Sequence, residues 1–296
     1  MLRTNFRKKN LITATTYTVL FTYCLLAFQG CKEANKLDVD IDDIELKLEI
    51  LRFEEDMFAM QGIDTIKEAG ALRQKYGPFY YDYIGGIMGW GNPDTKEAVD
   101  RMFYYKGSDP AKRVFKISEG IYKDFTPYEK EITDAFKHFK YYFPKAPIPK
   151  IITFQSQFSN YIDPSGDGYT AIALDMHLGD TFKPYSFTQP EPVPDYLLKI
   201  LTPKHVAIHA IRSHGNSLFG EANLNRNFAD NMILWGKTLY FLDAMMPKTE
   251  DYLKIGYSPA ELKWAKDNEK EIWELFVKDK WLYNTVSMEY SRFFNE

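Results

Sequence analysis

The stretch His205-Val206-Ala207-Ile208-His209 has the residue types and spacing closest to a known chemistry. Two imidazoles at i and i+4 share one helix face and can both reach a single zinc ion, and His214 follows nearby. Peptidase chemistry on such an ion also needs a glutamate beside the first histidine as general base, and Val206 stands there instead. His205 and His209 are therefore candidate ligands of a non-catalytic metal, with Glu269 or Glu221 as a third ligand, or plain polar residues of the fold. The expectation is a chain with no catalytic residue, no bound metal and no cofactor. His138 and His177 stand apart from any ligand pattern.

Other stretches offer weaker chemistry. Asp163, Ser165, Asp167 and Gly168 match the first half of an EF-hand loop, but its twelfth position is Leu174 rather than a bidentate glutamate, and strand-like runs flank it. Turn chemistry explains the same residues. Tyr169, Asp175 and His177 could line a ligand cleft, with Asp175 alternatively capping the end of a strand. The glycines at 85, 86, 89 and 91 lack the spacing of a phosphate loop and read as packing and loop residues. Residues 31–296 contain no nucleophile elbow and no Walker motif.

Periodicity gives the elements that must position these groups. Alternation in Ile44 to Ile50 predicts a strand, and Lys150 to Phe154 and Tyr169 to Leu174 predict two more. Helices are expected over Ile63 to Tyr76, Asp94 to Tyr105, Pro110 to Asp124 with Asp109 as cap, and Thr126 to Phe143. The strongest signals run from Asn227 to Tyr283 and predict two long helices. In the first, Phe228, Met232, Trp235, Leu239, Leu242 and Met246 form one face, and Gly236 allows a neighbouring backbone to approach. Ser258, Pro259 and Glu261 start the second with a capping box, and Glu269 falls on its apolar stripe, where it needs a partner. The fold class is α+β: one mostly helical domain with a small β-sheet. The order of strand, histidine-bearing helix and later helix resembles a degenerate gluzincin-type metallopeptidase stripped of its motif, a fold analogy only.

Composition fits a large core, with 45% hydrophobic and 16% aromatic residues in 296. The N-terminus is different. Arg3, Arg7, Lys8 and Lys9 precede an uncharged apolar run from Leu11 to Phe28, and Gly30 precedes Cys31, as in a lipoprotein leader. Residues 1–30 are expected to be the signal peptide and Cys31 the acylated residue; an uncleaved membrane anchor is the alternative. Phe28 and Gln29 depart from the usual residues before such a cysteine. Of the two cysteines, Cys24 lies within the leader, so lipidation accounts for the one that cleavage leaves. Residues 31–43, rich in aspartate, read as a tether, and 44–296 as the globular domain. Without its leader the chain keeps 33 Lys+Arg against 41 Asp+Glu, a formal charge of −8. An acidic body lacks the footprint of a nucleic-acid binder.

Several segments resemble the GldB family of gliding-motility lipoproteins from Bacteroidota. They are Gly236 to Pro247, Lys254 to Ser258, Trp264 with Asn268 and Glu269, Ile272-Trp273, and Leu282 to Thr285. Arg52 to Phe58, the residues around Phe143 and Phe154, and Ile172 to Asp180 add upstream support, so the resemblance spans most of the exported chain. It implies a non-enzymatic lipoprotein held to a membrane by its lipid, facing the periplasm and contacting protein partners of the gliding or type IX secretion apparatus. A zinc-binding peptidase-like protein, or an extracytoplasmic ligand-binding protein, is the alternative. Family members continue past the Leu282 to Thr285 segment with a further helical stretch, so the C-terminal part is expected to be shortened here.

Overall fold

The computed structural model describes residues 35–158, 165–166, 168–182, 195–219, 227–286, 289 and 293. The leader, Cys31, Glu221 and the Asp163 and Asp167 positions of the proposed calcium loop lie outside the described residues. Val39–Glu296 form one compact unit. Among the described residues no helix is long and apolar enough to cross a membrane.

Four strands form one sheet in the order β1-β2-β4-β3, with β1 Ile50–Arg52, β2 Lys150–Phe154, β3 Ser165–Gly166 and β4 Tyr169–Ala173. β1, β2 and β4 are parallel, and β3 is antiparallel to β4. Parallel strands covered on both faces read as continuous apolar runs. Accordingly every residue of β4, and all of β2 after Lys150, is buried. Between β1 and β2 the chain runs through α1 Phe53–Ala59, α2 Thr65–Tyr76, α3 Pro78–Tyr81, a π-turn Asp82–Ile87, α4 Lys96–Gly107, α5 Asp109–Tyr122 and α6 Thr126–Tyr142. After β4 come the short 3-10 turns Leu174–Met176 and Pro203–His205, with α7 Asp195–Leu198 between them. The chain then forms α8 Val206–Phe219, α9 Phe228–Met245, α10 Asp251–Ile255, α11 Pro259–Asp267 and α12 Glu269–Lys278, and a last 3-10 turn Trp281–Tyr283. The class is α+β and mostly helical, as the sequence predicts.

Several sequence expectations are corrected. The first strand is Ile50–Arg52, not Ile44 to Ile50, because β2 starts at Lys150 and its Ile151 N–H already donates to the Glu49 carbonyl, leaving no partner for residues further upstream. α5 is capped by Ser108, which accepts from the Ala111 N–H, rather than by Asp109. The predicted second long helix breaks at Asn268, whose side chain turns back to donate to the Trp264 carbonyl at 2.8 Å. Its start is as expected, with the reciprocal Ser258 and Glu261 bonds both formed.

α9 starts after Asn227, whose side chain caps it by accepting from the Asp230 N–H; of the expected face Phe228, Leu242 and Met246 are buried, but through the middle of the helix the buried stripe is turned by about one residue. Asn231, Leu234, Thr238, Phe241 and Met245 point inward, while Met232, Trp235 and Leu239 are half-buried. Two polar residues on the inner stripe hid it from a reading based on hydrophobicity. The close approach also uses a different glycine. Gly236 is exposed with open space around it, whereas a Cβ on Gly215 of α8 would sit 2.8 Å from Phe241 Cδ1. Gly215 is what lets α8 lie against α9.

Candidate functional site at the carboxyl ends of the strands

Because β1, β2 and β4 run parallel, their carboxyl ends open on one edge of the sheet, where open α/β sheets place their ligand sites. The residues following them are Glu54, the Gln155 to Phe158 loop, and Asp175 with His177. All except Gln157 are buried.

Glu54 accepts from Thr153 Oγ1 at 2.8 Å and from Arg52 Nε at 2.7 Å. Burial pushes its carboxyl upward against the opposing pull of the Arg52 charge. Asp175 accepts from the backbone N–H groups of Ser156, at 2.9 Å, and Phe158, at 3.0 Å. Burial raises its carboxyl to about 6 despite these donors. These bonds fasten a loop in which Gln157 and Phe158 hold φ of 59° and 60°, a left-handed conformation that residues with a Cβ seldom adopt. Asp175 thus positions the neighbouring strand's loop and does not line a cleft. Tyr169 is also buried, its hydroxyl donating to Asp82 at 2.6 Å.

The histidines converge more than their spacing suggests. His177 Nδ1 lies 2.9 Å from the Ala173 carbonyl and can only donate there, so in the neutral ring its Nε2 accepts from His209 Nδ1, also at 2.9 Å. His205 stands in the 3-10 turn just before α8, with its ring centroid 5.6 Å from that of His209 and its Nδ1 2.9 Å from Thr202 Oγ1. Burial holds His177 and His205 down at about 4 and pushes His209 well below the usual imidazole range, so all three are neutral at pH 7. His214, on the same helix as His209, packs edge-to-face against the rings of Phe136 and Phe139, with centroids 5.1 and 4.9 Å away. Among the described residues no group of three or more His, Cys, Asp or Glu side chains is placed to hold a metal. Both His177 nitrogens are engaged, and Glu269 is exposed in the first turn of α12, where its charge faces the positive helix end. That placement answers the need for a partner that its sequence position raised.

Two clefts flank this edge. One, of about 490 Å³, lies over His205 and is walled by Thr202, Lys204, Tyr252 and Tyr257. The other, of about 640 Å³, is lined by Trp90, Arg101, Tyr104, Tyr105, Gln155, Gln157 and Phe158. Sequence reasoning missed this second cleft because its walls come from three separate segments. A local signal was present in Gly89-Trp90-Gly91: both glycines have positive φ, 60° and 102°, and they turn the chain around the indole, which packs 5.5 Å from Tyr105. Tyr83 pins the cleft floor by donating to the Gln155 carbonyl at 3.0 Å.

Among known proteins, the family model described as gliding motility protein GldB matches residues 34–296. No curated protein and no solved structure matches the chain. With the match running over nearly the whole described body, the chain belongs to the GldB family of gliding motility proteins.

Proposed function

We propose that the protein is a non-enzymatic lipoprotein, anchored through Cys31 with its body facing the periplasm, that works by contacting protein partners of the gliding or type IX secretion apparatus. The family match over residues 34–296 carries this reading. Two features support it. The strand-end histidines are buried and neutral, with Val206 where a zinc peptidase needs its base. α12 packs Ile272 and Phe276 inward against Phe228 while Trp273 and Val277 stay 46% and 63% exposed on its outer side, the kind of apolar surface a partner covers. The acidic body speaks against a nucleic-acid partner.

Deleting the gene in its own host tests this reading. Surface spreading and release of type IX cargo are expected to fall, and to return with the wild-type gene but not with Cys31→Ala, which should also lose labelling by a fatty-acid probe. Unchanged spreading and cargo release after deletion, or full rescue by Cys31→Ala, would overturn it. Zinc content tests the non-enzymatic part separately. Stoichiometric zinc lost on His205→Ala with His209→Ala would argue for a metalloprotein instead.

A further inference from the structure

We infer that the cleft between α4, α5 and the Gln155 to Phe158 loop binds a saccharide unit carrying a carboxylate. Its volume of about 640 Å³ lies in the range of small-ligand sites. At its floor Gln155 is only 2% exposed. Its Nε2 donates to the Ala111 carbonyl at 3.4 Å, while its Oε1 is buried with no hydrogen-bond partner. A buried acceptor left unmade is costly, so the site calls for a ligand that donates a hydrogen bond.

The walls narrow the class. Trp90, Tyr104 and Tyr105 are aromatic residues of the lining, and Tyr104 is 83% exposed. The C–H face of a sugar ring carries slight positive charge and meets the negative face of an aromatic ring favourably, while its hydroxyls supply the donor. Arg101 is the one charged side chain in the lining, and it forms no ion pair among the described residues. A guanidinium matches a carboxylate in two parallel bonds, whereas a polyphosphate would call for several cations. An extended peptide would pair with an open strand edge, but β2, from which the loop departs, is interior to the sheet. The strained Gln157 and Phe158 backbone, fastened by Asp175, keeps this surface in one shape before a ligand arrives. The inference is independent of how the chain is anchored.

The test uses the full chain, purified in a detergent without a sugar head group. Calorimetry measures its binding to uronate tetrasaccharides (galacturonate, mannuronate and glucuronate), to maltotetraose, and to N-acetyl-tyrosine amide. At least one uronate is expected to bind, with maltotetraose at least about tenfold weaker. Tyr104→Ala and Arg101→Ala, both at exposed positions and therefore safe for folding, are each expected to weaken uronate binding by about tenfold or more while circular dichroism stays unchanged. The proposal is overturned if no uronate binds, if both variants bind uronate as the wild type does, if maltotetraose binds equally well, or if N-acetyl-tyrosine amide is the tighter ligand.

Discussion

The sheet end and the C-terminal helices bury their side chains to very different degrees. At the strand ends even Glu54, Asp175 and His177 are 2% exposed or less, each held by named partners. α11 buries no residue, and α12 buries only Phe276. A substitution at the strand ends should therefore act mainly on stability, because it disturbs close-packed and polar groups together. On the outer helices it should act mainly on what the protein touches.

Acid should separate the two regions most. His177, His205, His209 and His214 all titrate lower in the folded chain than in the unfolded one. Their neutral forms support folding fully above about pH 6.5, and that support fades as the pH drops toward 4, where the unfolded chain takes up protons the native one refuses. Asp175, raised to about 6, and Glu54, also raised, act in the opposite sense: they gain stability on acidification over part of the same window. Four groups against two leave a net loss of stability as the pH falls across about two units. Urea midpoints at pH 7, 5.5 and 4.5 should fall steeply, and a flat profile would show that the histidines are not sealed.

Truncating one ring in each region comes next. Phe154 is fully buried against Phe79 and Tyr83, and Phe154→Ala should cost about 3–5 kcal/mol. Phe276, 9% exposed beside Phe228, should cost about 2–3 kcal/mol when replaced by Ala. Equal losses in denaturant titrations would break the contrast. The smallest pair sharpens it. Gly215→Ala should destabilise by about 1–3 kcal/mol through its clash with Phe241, while Gly236→Ala should stabilise by up to about 1 kcal/mol, since its new methyl meets nothing. Thermal melts should shift in opposite directions, and a shared sign would mean that the α8 to α9 contact is looser than 2.8 Å implies.

What could be read from the sequence follows the range of each signal. Caps and helix stops act over a few residues, so the end of α2 at Gly77, the end of α6 at Phe143 and the Ser258 box are legible in the sequence, whereas the capped start that Thr126 suggests for α6 is not formed, Phe125 standing at the cap position without a side-chain bond. The inner face of α9 was misjudged because Asn231 and Thr238 occupy it, and only the packing partner shows which stripe faces in. The alternation in Ile44 to Ile50 was genuine, but a strand also needs a neighbour, and β2 is too short to pair with it. The site was harder to see. His177 and His209 are 32 residues apart, and Trp90, Arg101 and Gln155 meet in one cleft only because β1 and β2 adjoin while a long helical excursion separates them in the chain. His205 and His209 drew attention by their spacing, while the partner that explains His209, His177, had no local signature.

The pairing of Ile50 with Ile151 carries a consequence for how the protein is made. On the ribosome and again when it is threaded N-terminus first across a membrane, β1 emerges roughly a hundred residues before the strand it must join, a delay on the order of 5–20 seconds at the pace of synthesis. Until then Phe53 and Met57, both fully buried in the finished fold, have nothing to pack on but the helices that follow them. Assembly of the sheet must wait for β2, and the nascent chain is open to chaperones throughout that delay.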